Sequence, residues 1–315
     1  MNKLIKYIRS KFGVNEERFQ KVLEKSPSAE GYILGNLAED LFKEYAESLG
    51  YEVLRIKEKP EGGNNAKNED ARGDFYIRKK DSSKDEWLVV ECKGVKSNAE
   101  KRSGLTSRSS CLSLLNKCSI ERDKYVKSNY ESGKNAYEKV KNEWETKNNR
   151  TFPKFNWNEN NSGAGIPNLT GLWKSKKEIK EWLDTFDEID FDENAYWDLK
   201  APIRVLQTHM PSTRIDPITQ IKSTGPLVSE FTILCVDLFI KTGRHEFVFA
   251  NSTELNHQAK SPNHLQQNYT IDILTAKDNF QRHYLLKPWY NDLELCIEKT
   301  NPKYRNLDKS QLDKR

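Results

Sequence analysis

The most constraining feature of this sequence is an unbroken apolar run that ends in two charged residues. Residues 87–90 are Trp-Leu-Val-Val, and Glu91-Cys92-Lys93-Gly94 follows directly. Four consecutive apolar residues are typical of a strand that is buried on both faces of a sheet. Successive side chains of a strand point to opposite faces, so Glu91 and Lys93 share one face. The run therefore predicts a central strand with a carboxylate and an amine side by side at its end.

A second carboxylate, Asp74, opens a neighbouring strand candidate. Gly73-Asp74 precedes Phe75-Tyr76-Ile77, and a short polar turn, residues 79–86, leads to the first run. A hairpin with this turn would bring Asp74 and Glu91 together at one edge of the sheet. Their carboxylates, with the backbone carbonyl of Cys92 between them, are hard oxygen ligands of the kind that Mg²⁺ prefers.

Two carboxylates, a lysine and Mg²⁺ are a set of groups that can hydrolyse a phosphodiester. Water attacks in line, negative charge builds on the phosphate and the leaving oxygen, and Mg²⁺ compensates that charge and lowers the pKa of bound water. Lys93 would position or deprotonate the water, or stabilise the charged transition state. The alternative interpretation is a surface hairpin whose charges merely mark strand ends.

Residues 26–49 predict a long amphipathic helix that carries Glu39 on the flank of its apolar stripe. Ser26-Pro27 is a typical helix start and Gly50 a typical stop. Glu39 is about 60° from Phe42 at ~100° per residue, so it can reach the sheet edge. The alternative is an ordinary solvated glutamate that pairs with the lysine four residues later.

Taken in order, these motifs resemble the PD-(D/E)XK nuclease superfamily over residues 30 to about 120. The motifs are Gly35-Asn-Leu-Ala-Glu39, the strand candidate Tyr51–Ile56, Gly73-Asp74 and Val90-Glu91-Cys92-Lys93-Gly94. The resemblance implies an α-β-β-β-α-β core around a mixed sheet and a Mg²⁺-dependent hydrolase of DNA or RNA. It implies Asp74 and Glu91 as metal ligands, Lys93 as the catalytic lysine and Glu39 as an accessory ligand. Arg72-Gly73 stands where the motif name has proline, at a position that varies in the family.

We therefore expect an α/β (α+β) fold with a restriction-endonuclease-like core, in which helices flank a central mixed β-sheet. The predicted organisation is a helical lead-in at 1–25, a nuclease domain at 26–300 with a polar insertion at about 120–200, and a polar tail at 301–315. The C-terminal region is strand-rich, with candidates at 203–208, 231–240 and 245–250. The five histidines lack metal-ligand spacing and are interpreted as structural.

Charge permits a nucleic-acid partner without requiring one. The chain has 52 Lys and Arg against 47 Asp and Glu, for a net charge of +5. Basic residues cluster after Lys93, and arginines recur in the C-terminal half. The candidate DNA-contacting residues are Lys96, Lys101, Arg102, Arg108, Arg204 and Arg214. Each is also an ordinary residue of a basic loop or strand.

The expected class is a type II restriction endonuclease that cuts double-stranded DNA at a short specific sequence. This step rests on chain size, the absence of helicase or NTPase motifs, and a C-terminal half large enough for recognition. A palindromic site would imply a homodimer, and a cognate DNA methyltransferase would act on the same site. A repair, recombination or modification-dependent nuclease stays open, as does a non-catalytic DNA-binding protein.

Cysteine usage and hydropathy predict a cytoplasmic protein. The five cysteines are odd in number and show no CxxC spacing, which argues against a disulfide framework or a zinc site. No run approaches the ~18 apolar residues of a membrane span, so no membrane partner is expected.

Overall fold

Three helices open the chain. A computed structural model describes residues 2–57, 72–82, 84–95, 105, 107–154, 157, 166–191, 203–208, 213–239, 243–275 and 283–313. The helices are α1 (Lys3–Phe12), α2 (Glu16–Glu24) and α3 (Pro27–Ser48). The expected lead-in is thus two short helices, and the predicted long helix is confirmed. Gly50, at φ 82°, turns the chain out of α3 in a conformation that glycine adopts readily.

The remaining α-helices and strands of the described residues come in blocks: three strands, three helices, nine strands and a last helix. The strands are β1 (Tyr51–Arg55), β2 (Phe75–Lys79), β3 (Leu88–Gly94), β4 (Ile203–Thr208), β5 (Thr213–Ile215), β6 (Lys222–Thr224), β7 (Ile233–Asp237), β8 (Phe247–Asn251), β9 (His257–Gln258), β10 (Ser261–Leu265), β11 (Asn268–Thr275) and β12 (His283–Leu285). The later helices are α4 (Arg108–Cys118), α5 (Arg122–Asn148), α6 (Lys176–Leu183) and α7 (Leu293–Thr300).

The central sheet is mixed, as predicted, with five strands in the order β1-β2-β3-β7-β8. Strands β1, β2 and β3 are antiparallel, β7 runs parallel to β3, and β8 returns antiparallel to β7. In the β2–β3 hairpin Phe75 pairs with Val90, which places Asp74 next to Glu91. The predicted hairpin is confirmed, and β3 lies in the centre of the sheet.

Helices cover one face of this sheet, called here the helix face. Phe42 of α3 and Leu293 of α7 pack there against Phe75, Val90 and Cys92. Because side chains alternate along a strand, Glu91 and Lys93 leave β3 on the opposite face.

Strands cover that opposite face, called here the strand face. Val89 of β3 and Val236 of β7 pack there with Tyr269 and Ile271 of β11 and with Trp289. Strand β11 belongs to a second sheet in the order β12-β11-β4. The expectation of flanking helices therefore holds for one face, whereas the face that carries Glu91 and Lys93 packs mainly against strands.

The stretch expected as a polar insertion contains a core of its own. Cys111 and Leu115 of α4 pack with Ile179 and Trp182 of α6 in a separate cluster. Helix α5 is mostly exposed and buries only a few residues, among them Trp144.

The residues expected as a polar tail pair with the central sheet. The Lys57 N–H donates to the Gln311 carbonyl at 2.8 Å, and the Asp313 N–H donates to the Arg55 carbonyl at 2.9 Å. Trp87 and Arg305 exchange two backbone hydrogen bonds, each of 2.8 Å. The end of the chain is therefore part of the folded unit.

Candidate functional site

Asp74 is held in place by backbone bonds on both sides. Its N–H donates to the Val90 carbonyl at 2.8 Å, and its carbonyl accepts from the Ile56 N–H at 2.9 Å. Its carboxylate Oδ2 accepts from the Cys92 N–H at 2.7 Å. These bonds bring residue 73 so close to β3 that only glycine fits there, because a Cβ would lie 2.7 Å from the Val90 carbonyl oxygen. The predicted role of Gly73-Asp74 as the opening of β2 thus has a steric cause.

Lys93 brings the predicted site residues together. Its ammonium Nζ donates to the Cys92 carbonyl at 3.0 Å, forms an ion pair with Glu91 Oε1, and lies 3.9 Å from Asp74 Oδ2. The side chain of Glu91 is 10% exposed, and those of Asp74 and Lys93 are about one quarter exposed. Three oxygen atoms from two neighbouring strands therefore surround one cationic group in a half-buried position.

The electrostatics of this cluster favour bound positive charge. Burial, followed by the charge of Asp74, raises the pKa of Glu91 to about 8, although Lys93 acts in the opposite sense. Burial by itself would lower the pKa of Lys93, but the carboxylates of Glu91 and Asp74 outweigh it and raise that pKa. Both shifts mean that the cluster holds protons tightly. A metal cation would meet the same demand for positive charge.

The donor set fits a magnesium ion. The oxygens of Asp74, Glu91 and the Cys92 carbonyl are hard ligands, and the Lys93 ammonium already contacts them as a cation. Within the described residues no group of three or more His, Cys, Asp or Glu side chains could hold a metal. Two carboxylates are nevertheless a common protein contribution to a Mg²⁺ site, since waters and substrate phosphates complete the coordination. The Cys92 thiol packs on the helix face, so only its carbonyl is available here.

Glu39 is placed apart from these three residues. The ion pair that the structure shows for Glu39 is with Arg55, at the end of β1. Arg55 lies over the ring of Phe75, which belongs to the helix face. Glu91 and Lys93 leave β3 on the strand face, whereas this contact of Glu39 is on the helix face. The helical position of Glu39 was predicted, and its role as an accessory ligand stays a prediction.

The candidate DNA-contacting residues have varied surroundings. Lys96, Lys101 and Arg102 lie outside the described residues, and Arg204 is on β4, whose backbone alone is described. Arg214 is on β5, and its Nε donates to the buried Glu230 carboxylate at 2.5 Å. Arg214 is therefore connected to the central sheet through Glu230, which lies just before β7.

Arg108 contacts the protein itself. It begins α4, donates through Nε to the Leu183 carbonyl at 3.3 Å and through Nη2 to the Phe186 carbonyl, and lies over the ring of Phe191. These contacts tie α4 to the end of α6, which is a structural role.

Arg108→Ala is therefore expected to lower the free energy of unfolding by about 1–2 kcal/mol while leaving DNA affinity unchanged. Chemical denaturation and a gel-shift titration measure the two quantities. Lys177→Ala is the control, because Lys177 is 84% exposed and its pair with Glu181 lies on the surface of α6. A large loss of DNA affinity with unchanged stability would contradict this role and restore Arg108 as a DNA contact.

Two residues near the cluster escaped sequence reasoning. Glu230 is 5% exposed and pairs with Arg72 as well as Arg214. Tyr269 is 3% exposed, and its hydroxyl has no hydrogen-bond partner within the described ranges. Burial and then the charge of Glu91 raise the pKa of Tyr269, so its ring is close to the cluster. One indication in the sequence of a charged partner near Asp74 is that Arg72 stands two residues before it.

His245, interpreted from the sequence as structural, pairs with the buried carboxylate of Asp237. Asp237 lies at the end of the central sheet that also carries Lys93. Its Nδ1 lies 2.7 Å from Asp237 Oδ2, and its ring stacks on Phe239 with centroids 4.3 Å apart. Asp237 ends β7 opposite Gly94 of β3. The pair closes the turn between β7 and β8, which agrees with a structural interpretation.

Comparisons with protein-family models, with curated proteins and with solved structures find no match for this chain. In the part of the chain that the structure describes, every helix is too short or too polar to cross a membrane.

Proposed function

We propose that this protein is a Mg²⁺-dependent endonuclease that hydrolyses phosphodiester bonds of double-stranded DNA. The observation that carries the proposal is the convergence of the Asp74 and Glu91 carboxylates and the Cys92 carbonyl on the ammonium of Lys93. Phosphodiester hydrolysis needs hard oxygen ligands for a metal and a fixed positive charge for the phosphate, and this cluster offers both.

The order of the elements around the cluster supports a restriction-endonuclease-like core. Helix α3 precedes the antiparallel strands β1, β2 and β3, helix α4 follows, and β7 then runs parallel to β3. With α5, α6 and β4 to β6 inserted between α4 and β7, these elements follow the α-β-β-β-α-β order that the PD-(D/E)XK resemblance implies. Asp74 at the start of the second strand and Glu91 and Lys93 at the end of the third are also where that family has its site residues.

Each residue of the cluster has a distinct task in this proposal. Asp74, Glu91 and the Cys92 carbonyl would hold Mg²⁺, and the hydrogen bond from the Cys92 N–H to the Asp74 carboxylate fixes that carboxylate against β3. When bound, Mg²⁺ supplies positive charge to the phosphate and acidifies water. Lys93 offers its ammonium to the phosphate oxygens, where negative charge builds during hydrolysis. The half-buried setting strengthens these charge interactions relative to bulk water.

The finer proposal is a type II restriction enzyme of the cytoplasm. The strands outside the central sheet, β4 to β6 and β9 to β12, offer a region large enough to read a short DNA sequence. All five cysteines are buried, and their odd number without CxxC spacing is in keeping with a reducing compartment. A palindromic target would require a homodimer, and a methyltransferase that modifies the same sequence would protect host DNA.

Plasmid DNA incubated with the protein and Mg²⁺ or EDTA tests these proposals. Discrete fragments that form only with Mg²⁺ are the expected result, and sequencing their ends gives the recognition site. A Mg²⁺-dependent smear would favour a repair, recombination or modification-dependent nuclease. Intact DNA that shifts in a gel would favour a non-catalytic DNA-binding protein and refute hydrolysis.

A further inference from the structure

The segment before Asp74 carries an arginine whose backbone is fixed. The Arg72 N–H donates to the Glu230 carbonyl at 3.0 Å, and the Asp74 N–H donates to the Val90 carbonyl at 2.8 Å. Residues 72–74 therefore lie between β3 and the residues just before β7.

Arg72 and Arg214 share a single buried carboxylate. Arg214 Nε lies 2.5 Å from Glu230 Oε1, and Arg72 Nε lies 3.5 Å from the same oxygen. The other oxygen, Oε2, accepts from the Leu227 N–H at 3.3 Å. One buried carboxylate therefore anchors both guanidinium groups.

The exposed part of Arg72 suits an anion. Its described ion pair runs through Nε, at the stem of the guanidinium, and its side chain is 29% exposed. The planar fork of an arginine matches the oxygens of a phosphate and can bind two of them at once. Because Glu230 already holds the guanidinium in place, little conformational entropy would be lost on binding.

We propose that Arg72, positioned by Glu230, binds a backbone phosphate of the nucleic acid next to the phosphate that the site of Asp74, Glu91 and Lys93 would hydrolyse. Arg214 shares the anchoring carboxylate. The inference rests on the proposed function. It adds a residue that contacts the phosphate backbone and therefore binds DNA of any base sequence. The competing possibility is that the two arginines only tie the β5–β6 hairpin to the sheet.

Arg72→Gln tests the inference through the salt dependence of DNA binding. Fluorescence anisotropy with a labelled duplex of mixed sequence, in EDTA and over a range of salt concentrations, measures affinity without cleavage. The variant is expected to bind about tenfold more weakly at low salt, since one charge-assisted contact is lost. The slope of log K against log salt is expected to fall by about 0.9, the value for one phosphate contact.

Two further variants keep this test decisive. Arg72→Lys retains the charge but not the fork, so it should keep the wild-type salt slope and bind more weakly. Arg78→Gln is the matched control, because Arg78 is 24% exposed and pairs with Glu52 at 2.7 Å near the far end of β2. It should bind DNA as the wild type does. Thermal unfolding checks that the variants fold, which is expected for Arg72→Gln because Glu230 keeps Arg214.

The possible outcomes separate this inference from the proposed function. A wild-type protein that binds and cleaves DNA, with an unchanged salt slope in Arg72→Gln, would overturn the inference alone. If Arg72→Gln fails to fold, unchanged affinity in Arg72→Lys would overturn it instead. A wild-type protein that neither binds nor cleaves DNA would overturn the proposed function and this inference with it.

Discussion

Lys93→Ala is expected to reduce Mg²⁺-dependent DNA cleavage by ~10²–10⁴-fold while DNA binding survives. The ammonium of Lys93 is the positive charge that contacts the Asp74, Glu91 and Cys92 oxygens, and in the proposed mechanism it is the charge offered to the phosphate. Asp74→Ala is expected to have an equally large effect, because it removes one of the two carboxylates that fit the metal. Single-turnover cleavage of plasmid DNA measures the loss, and gel-shift titration measures binding.

A matched lysine shows whether the loss is specific to the site. Lys79 lies on the same sheet and also pairs with a carboxylate, that of Glu294, but at the opposite end of β2 from Asp74. Lys79→Ala should leave cleavage unchanged. Lys93→Met, which preserves most of the side-chain volume, separates loss of charge from loss of packing. Cleavage retained in both Lys93→Ala and Asp74→Ala would refute the assignment of the site.

Gly73→Ala is expected to lower the free energy of unfolding by ~1–3 kcal/mol and to reduce cleavage by ~10²-fold. A Cβ at this position would lie 2.6 Å from Val89 Cγ1 and 2.7 Å from the Val90 carbonyl oxygen. The carbonyl belongs to the backbone of the central strand and accepts the Asp74 N–H, so it cannot move without moving Asp74. The added methyl group therefore acts on the fold and on the position of the carboxylate together.

The control for this prediction is Gly35→Ala. A Cβ at Gly35 would meet no other atom within 4 Å, and the residue is in the interior of α3. Alanine favours helix over glycine by ~0.5–1 kcal/mol, so this variant should be slightly more stable and equally active. Chemical denaturation and the plasmid assay measure both variants. Gly73→Ala with wild-type stability and cleavage would show that the segment before β2 is not sterically fixed.

Local patterns predicted the region around β3 well. The apolar run 87–90 identified the central strand, and the short turn after β2 identified the hairpin, because both depend on residues close in sequence. The run 231–240 predicted a longer strand than the observed β7, which ends at Asp237. Asp237 Oδ1 accepts from the Phe239 N–H at 3.1 Å and turns the chain there. Such a side-chain bond to the backbone is not visible in hydropathy.

Contacts between distant residues could not be predicted in the same way. The angle of Glu39 on the helix predicted that it lies near the sheet edge. The face that α3 covers is known only from the packing of Phe42 against Phe75, which is on the helix face. The pairing of Glu230 with Arg72 joins residues 158 positions apart. A single sequence carries no local signal for such a pair, because its energy depends on the three-dimensional arrangement.

The pairing of residues 311–313 with the end of β1 limits how two copies of this chain can associate. An edge strand with open backbone groups is a template onto which another chain can add. Here the bridge between Ile56 and Leu312 occupies part of one edge of the central sheet, and a bridge between Phe249 and Tyr290 occupies part of the other. Continuous extension of the sheet across two copies is thereby obstructed at both sides. A homodimer that formed by strand addition would have to use an edge of another sheet or the part of these edges that the bridges leave open, away from residues 56 and 249.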